Sequence, residues 1–403
     1  MFIKHIKWIY CLAAIMVLCF TTSSLDAQSP GSIDLLGVEE LPVIKELPNP
    51  FLMNDGTMVR SAFDWTKRRV EIKAMMLYYQ YGHIPPAPDN LVSKELSSIS
   101  VFDGAATEKR ILLTMGPDSK VIINIGMMIP EGPGPFPAII KFTPHMADAG
   151  LRDIPIAREL IDCGYIVCEY ARDSVDPDVE GNDVIGAAQA AYPDYDWATL
   201  AAWAWACHRV VDYFMTLSCV DKEHIAITGH SRDGKAALLA GALDERIALT
   251  VPNGSGCGGG GCYRVRVGES LKLITEPKRF SYWFHSRLRD FADKETRLPF
   301  DQHFLKALVA PRALLTTDAL GDKWANPIGE QQTYLAAQPV FDFLNASGNN
   351  AIHFRQGGHN QTKEDWNALA DFADKVFFDK TSSRSFNKLP FNDAKLFSWT
   401  APK

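Results

Sequence analysis

The sequence predicts an α/β fold, a mostly parallel, doubly wound sheet with helices on both faces in a three-layer sandwich, preceded by an N-terminal extension. Three observations predict it. From about residue 135, apolar runs of strand length ("FPAIIKFT", "YIVCEYA", "HIAIT", "RALLTTD") alternate with helical stretches, and strands buried on both faces are what a helix-covered parallel sheet requires. The chain of 403 residues is 47% hydrophobic and 22% charged, which supplies one large core and argues against disorder. No internal repeat or low-complexity tract interrupts the alternation.

Taken in order, Lys4, His5 and Lys7 precede "WIYCLAAIMVLCF", and a short polar stretch ends at "LDA". This pattern predicts a secretory signal over residues 1–27, cleaved after Ala27. Its apolar run is shorter than the ~20 residues a spanning helix needs, so the mature chain is expected to be secreted or periplasmic, with no membrane span. Residues 28–95 are expected to form an extension packed on the core. Within it "SAFDWTKRRVEIKAMMLYYQYG" has apolar residues at helical spacing, Ser61 can cap that helix, and "HIPPAP" stops it. The main domain is expected over 96–403. It begins with "ILLTM" and "KVIINIGMMIP", antiparallel strands joined by "GPDSK". Then come the strand "FPAIIKFT", the glycine-ended helix "IPIARELIDCG", the strand "YIVCEYA" and a helix over about 197–216. The strand "HIAITG", a helix over 232–243, the strand "IALTVPN", a glycine-rich loop and a helical stretch follow. The chain closes with "RALLTTD", a helix over 327–345, "AIHFRQ" and a last helix over 361–378.

A net charge of −7 without any basic tract argues against a nucleic-acid partner, and none is expected. Once the signal is removed, Cys163, Cys168, Cys207, Cys219, Cys257 and Cys262 remain. An even number in an exported protein permits disulfides. Cys257 and Cys262, five positions apart in a glycine-rich loop, are expected to pair, since such a loop can bring Cα atoms within the ~6 Å a disulfide prefers. No cluster of Cys and His has zinc spacing, and neither metal nor cofactor is expected.

"GHSRDGK", residues 229–235, joins an apolar strand to an alanine-rich helix and lifts the hydroxyl of Ser231 to the strand's end. Asp322 follows "RALLTTD" and His359 follows "AIHFRQ", so all three stand where a doubly wound sheet gathers its active residues. Serine, aspartate and histidine in that chain order are the arrangement of the α/β-hydrolases. The chemistry needs each type. A serine hydroxyl is a weak nucleophile until a base takes its proton; imidazole titrates near neutrality; and a buried carboxylate holds its tautomer. Asp318, nearer the strand, competes with Asp322 as the acid, and its alternative is a turn residue bonded to its own backbone.

"GHSRDGKAALLAGALDERIALTVPNGSGCGGG" resembles the glucuronoyl esterases of carbohydrate esterase family 15, whose elbow reads G-(C/H)-S-R-x-G-K. The likeness extends to "DGTMVRSAFDWTKRRVEI", "YGHIPPAP", "LPFDQHFLKALVAPRALL", "DKWANPIGE" and "GGHNQTKEDWNALADFADK", most of the chain after about residue 48. It implies an exported serine esterase acting on esters of 4-O-methyl-glucuronic acid in xylan or at lignin–carbohydrate bonds, expected to be a monomer without cofactor. Arg232 would supply its N–H and guanidinium to the oxyanion. Lys235, one turn further along the helix, and Glu269 would meet sugar hydroxyls, while Trp324 would pack on the uronate ring. One departure stands out: many members carry their acid just after the strand that follows the elbow helix, where this chain has Gly254. His303 and His145 are further candidates for lining the site. Two other functions share these residues, a deacetylase of acetylated xylan and a carbohydrate-binding homologue without activity.

Overall fold

The structure, a computed structural model, describes residues 35–145, 150–179, 185–392 and 394–402. The segment assigned to the signal lies outside the described residues. The strands are β1 (Val92–Val101), β2 (Ala106–Met115), β3 (Val121–Pro130), β4 (Phe136–Thr143), β5 (Ile166–Ala171), β6 (Val220–His230), β7 (Leu249–Asn253), β8 (Ala313–Ala319) and β9 (Asn350–Arg355). They form one sheet in the order β1-β2-β3-β5-β4-β6-β7-β8-β9. The pairs β1–β2, β2–β3 and β3–β5 are antiparallel, and every pair from β5–β4 to β8–β9 is parallel. This is the α/β-hydrolase architecture.

The helices are α1 (Ala62–Met76), α2 (Ala157–Asp162), α3 (Ala187–Ala191), α4 (Thr199–Phe214), α5 (Arg232–Leu243), α6 (Leu271–Ile274), α7 (Gln302–Val309), α8 (Pro327–Phe343) and α9 (Lys363–Phe378). The two-residue alternation of a strand divides the core. Ile140 and Phe142 of β4, Tyr170 of β5 and Ile225 and Ile227 of β6 join the layer built with α1, α4, α5 and α7. Their neighbours Ile139, Val167 and Ala226 face the other layer, with α2 and α9. Helix α5 approaches the sheet closely because its inner face is small: a Cβ on Gly241 would sit 1.9 Å from Thr250 Oγ1.

In α1, the Ser61 hydroxyl accepts the Asp64 N–H at 3.1 Å, and the helix runs on through a π-helical turn, Leu77–Tyr81. Trp65, Ile72 and Met75 lie in the same apolar layer as α4 and α5, and β1 runs across the boundary drawn at residue 95. Among the described residues no helix is long and apolar enough to cross a membrane.

The expected Cys257–Cys262 disulfide is not formed; both thiols are free and buried. The loop turns back through a Gly261 N–H bond to Gly256 O at 2.8 Å, and the two side chains diverge. Cys257 joins the layer around α5, whereas Cys262 packs with Leu47, Ala336 and Phe397. Short spacing allowed the bridge, and packing against distant partners decided otherwise.

Candidate active site

Strand β6 ends at His230 and α5 starts at Arg232, so Ser231 alone makes the turn, at φ 59° and ψ −120°. That conformation is costly for a residue with a Cβ and survives only where its surroundings fix it. Here Ser231 N–H donates to Asn253 O at 2.9 Å, and Ser231 O accepts the Lys235 N–H at 3.0 Å. A Cβ on Gly229 would meet Asp233 O at 2.4 Å, and one on Gly234 would meet Asn253 O at 2.8 Å and Gly229 O at 2.9 Å. The glycine at 234 follows from this: a Cβ there would run into the backbone of β6 and β7, whereas the Asp233 side chain has room. Asp233 can therefore keep a side chain, which accepts the Arg172 Nε–H at 2.5 Å.

The loops after β8 and β9 bring the partners to Ser231. Gly321 N–H donates to Gly357 O at 3.0 Å and Leu320 N–H to Arg355 O at 2.8 Å, tying the two loops together. His359 Nε2 lies 2.8 Å from Ser231 Oγ, and its Nδ1 lies 2.6 Å from Asp322 Oδ2. The other Asp322 oxygen accepts the Ala325 N–H at 3.1 Å. Burial pushes the Asp322 carboxyl up, but the bonds from His359 and Ala325 and the nearby imidazoles outweigh it and hold it below the usual range. An ionised carboxylate at Nδ1 puts the imidazole proton there and turns the lone pair of Nε2 toward the serine hydroxyl. The arrangement can activate a nucleophile for acyl transfer.

Asp318 is not part of this relay. It is buried, one oxygen accepts the Ala319 N–H at 2.7 Å, and the other has no partner among the described residues. Burial, with Glu330 adding repulsion, pushes its carboxyl well above the usual range. His303 is distant in role too: its Nε2 bonds Pro48 O at 2.8 Å, its ring stacks on Trp399, and burial pushes it down to about 4. His145 is exposed at the end of β4; Thr143 Oγ1 donates to its carbonyl at 3.3 Å.

The two cations of the elbow differ sharply. Lys235 is buried, and its ammonium donates to Ser255 O at 2.6 Å, Cys257 O at 2.8 Å and Glu269 Oε2 at 2.6 Å. An ammonium has three N–H donors, so protein oxygens occupy all of them. Arg232 donates one bond, Nη1 to Asp178 Oδ2 at 2.8 Å. Four of its five N–H donors are without a protein acceptor among the described residues, and its side chain is 33% exposed. Glu269 N–H donates to Trp324 O at 3.0 Å, and Trp324 itself is 38% exposed, an open aromatic face beside a buried carboxylate.

Sequence reasoning missed three parts of this site. His230 packs its ring 4.6 Å from that of His359, and its Nδ1 bonds Asn253 Oδ1 at 2.7 Å. Burial holds it below its ordinary value. Arg355 fixes the His359 loop, donating to Gly358 O at 3.2 Å and to Asp365 Oδ2 at 2.5 Å. Asp178 and Arg172, on the chain after β5, complete the wall around Arg232. A cluster of one arginine and three aspartates directly after a parallel strand was the available signal.

The family described as "Glucuronyl esterase, fungi" matches residues 106–345, more than half of the chain. The chain belongs to the glucuronoyl esterases. It is 33% identical over 387 residues to carbohydrate esterase MZ0003 of an unknown prokaryotic organism, covering 81% of this chain and 89% of that one. It is 30% identical over 385 residues to 4-O-methyl-glucuronoyl methylesterase 1 of Wolfiporia cocos (strain MD-104), covering 89% of each. Among solved structures it is similar to a carbohydrate esterase family 15 glucuronoyl esterase from Caldicellulosiruptor kristjansonii, with a TM-score of 0.76, 29% identity and coverage of 91% and 99%. A promiscuous esterase of the same family from a marine bacterial metagenome gives a TM-score of 0.74 at 30% identity, covering 84% of this chain and 98% of that one. The protein is therefore a carboxylic-ester hydrolase of the α/β-hydrolase fold.

Proposed function

We propose that this esterase hydrolyses esters of 4-O-methyl-glucuronic acid in glucuronoxylan, including those that join xylan to lignin, with Ser231 as nucleophile. The names of the fungal relatives support the substrate. The observation that carries the mechanism is the relay of Ser231 Oγ, His359 and Asp322 at 2.8 and 2.6 Å, with an unsaturated guanidinium one residue beyond the serine. Ser231 Oγ attacks the ester carbonyl carbon as its proton moves to His359 Nε2. The carbonyl electron pair becomes an oxyanion facing the Arg232 guanidinium and the first N–H groups of α5, which have no acceptor within the helix. Collapse breaks the bond to the alcohol, which leaves with the proton from His359. Water then gives a proton to His359 Nε2 and attacks the acyl carbon; the bond to Ser231 Oγ breaks as His359 returns that proton to Oγ, and glucuronate departs.

In this reading the uronate ring sits against Trp324, with Glu269 accepting from its hydroxyls. Lys235 acts through Glu269, which it holds, because a direct bond to sugar would displace the Ser255 or Cys257 carbonyl. Residues 4–27 support export. The likeness to a promiscuous relative favours a second reading, in which acetyl esters of xylan are also cleaved. The test is hydrolysis of methyl or benzyl glucuronate beside acetylated xylan, in the parent and in Ser231→Ala. Loss of turnover by many orders of magnitude with an unchanged melting temperature is expected. Activity within about tenfold of the parent would remove Ser231 from the mechanism, and faster turnover of acetylated xylan would select the second reading.

A further inference from the structure

The Arg232 guanidinium lies in a clamp that the nucleophile motif does not contain. Asp178 Oδ2 accepts Arg232 Nη1 at 2.8 Å and Arg172 Nη2 at 3.0 Å. Its Oδ1 accepts the Tyr282 hydroxyl at 2.6 Å and the Trp283 Nε1–H at 3.1 Å. The guanidinium lies over the Trp283 ring at 4.7 Å and the Phe280 ring at 5.5 Å, and those two rings stack on each other at 4.2 Å. One carboxylate thus holds two cations with one oxygen and the aromatic wall beside them with the other. Arg172 is itself anchored by Asp233 of the elbow helix and lies over Trp203 at 4.0 Å, so the clamp is tied to α4 and α5.

A carboxylate beside an oxyanion site works against it electrostatically, since it offsets positive charge where negative charge develops. Its presence needs a compensating gain, and geometry supplies one. An arginine side chain free to rotate loses most of its worth as an oxyanion donor, because donors stabilise a transition state when they are already aimed. A charge-assisted bond to one edge and aromatic rings on its face fix the guanidinium while leaving four N–H groups without an acceptor among the described residues. Burial pushes the Asp178 carboxyl up, yet the Tyr282 hydroxyl and the charges of Arg172 and Arg232 hold it below the usual range, so the clamp stays ionised.

We propose that Asp178 is the positioning residue that aims Arg232 at the reacting carbonyl. This rests on the reading of Arg232 as the oxyanion donor, and the test separates the two. Steady-state kinetics on benzyl glucuronate are compared for the parent, Arg232→Ala, Asp178→Asn and the double variant, each with its melting temperature. Arg232→Ala should lower kcat about 10²- to 10³-fold, as loss of one oxyanion donor does. Asp178→Asn, which keeps the shape, should lower kcat roughly 10- to 100-fold with KM within about threefold. In the Arg232→Ala background it should cost less than about threefold more, since residues acting as a unit are not additive. If Arg232→Ala costs little, the oxyanion reading falls and the Asp178 role with it. If Arg232→Ala is costly but Asp178→Asn is not, or if the two losses multiply, Asp178 has no positioning role. Should Asp178→Asn fail to fold, Tyr282→Phe removes the shortest bond to the same carboxylate. It should give a smaller kcat loss that disappears beside Arg232→Ala, and a persistent loss or a change in KM alone would overturn the proposal.

Discussion

Replacing Lys235 by methionine tests whether this buried cation binds sugar or holds the site together. The ammonium is in contact with two carbonyls of the glycine-rich loop and with Glu269, and the two side chains are 2% and 4% exposed. Methionine has a similar length and volume, so no large cavity is made and the loss is one of charge and hydrogen bonds. Removing one partner of a buried ion pair costs about 3–5 kcal/mol, because the other charge is left without compensation. For a chain of 403 residues that corresponds to a fall of roughly 4–6 °C in melting temperature.

The charge argument has its own control. Adding Glu269→Gln to Lys235→Met removes the stranded carboxylate and should recover most of the lost stability, although the Ser255 and Cys257 carbonyls still lack their donor, at about 1 kcal/mol each. Thermal unfolding of the parent, both single variants and the double variant measures this. Because Ser255 and Cys257 lie directly after β7, beside the relay, Lys235→Met should depress turnover of glucuronate and acetyl esters alike. A melting temperature within about one degree of the parent, with KM raised for glucuronate esters only, would refute the reasoning and make Lys235 a direct sugar donor.

Two further outcomes follow from the geometry. In Asp322→Asn, the Ala325 N–H retains the amide oxygen, so the amide NH2 faces His359 Nδ1 and drives the imidazole proton to Nε2. A fall in kcat of about 10³ to 10⁴ is expected with KM little changed, and a loss of less than about tenfold by initial rates would exclude Asp322 as the acid. Asp176 is buried, and burial pushes its carboxyl up from 3.8 to about 6, against the opposing pull of Thr199 and the Gly186 N–H. Between those values the unfolded chain has released the proton and the folded chain keeps it, so stability falls as pH rises through the window. Asp176→Asn should therefore be more stable than the parent by about 2–3 kcal/mol at pH 7, with little gain near pH 4. Equal gains at both pH values in denaturant unfolding would contradict this.

Legibility in the sequence tracked the range of the interactions. Ser231, Asp322 and His359 could be read because each follows an apolar run that becomes a parallel strand, and strand ends converge in this fold. Helix α5 was found over Arg232–Leu243, where an alanine-rich stretch follows the turn. Lys235 was harder, since helical spacing gives its direction but two of its partners are backbone carbonyls of a glycine-rich loop, which no side chain announces. The cysteines met the spacing for a bridge and were drawn apart by Leu47, Ala336 and Phe397, residues remote in sequence. Asp178 belongs to an irregular stretch with no periodicity, and its donors at 232, 282 and 283 come from elsewhere in the chain.

Gly254 shows how a local departure can leave the geometry of Ser231, His359 and Asp322 intact. Strands β7 and β8 are parallel neighbours with Asn253 opposite Thr317, and Gly254 N–H donates to Thr317 O at 2.9 Å. Their ends therefore open onto the same space. A Cβ at position 254 would lie 3.6 Å from Asp322 Oδ2 and 3.3 Å from His230 Cε1, so an acid sent from the end of β7 would reach the place that the carboxylate from the β8 loop now fills. The glycine leaves room for both the Asp322 carboxylate and the His230 ring. Its φ of +51° is a left-handed conformation that a glutamate would enter with strain. A glutamate restored here would thus press on His230 and compete with Asp322 for one imidazole nitrogen. Histidine before the nucleophile, glycine after β7 and aspartate after β8 form one linked solution, in which moving the acid requires changing the ring packed beside it.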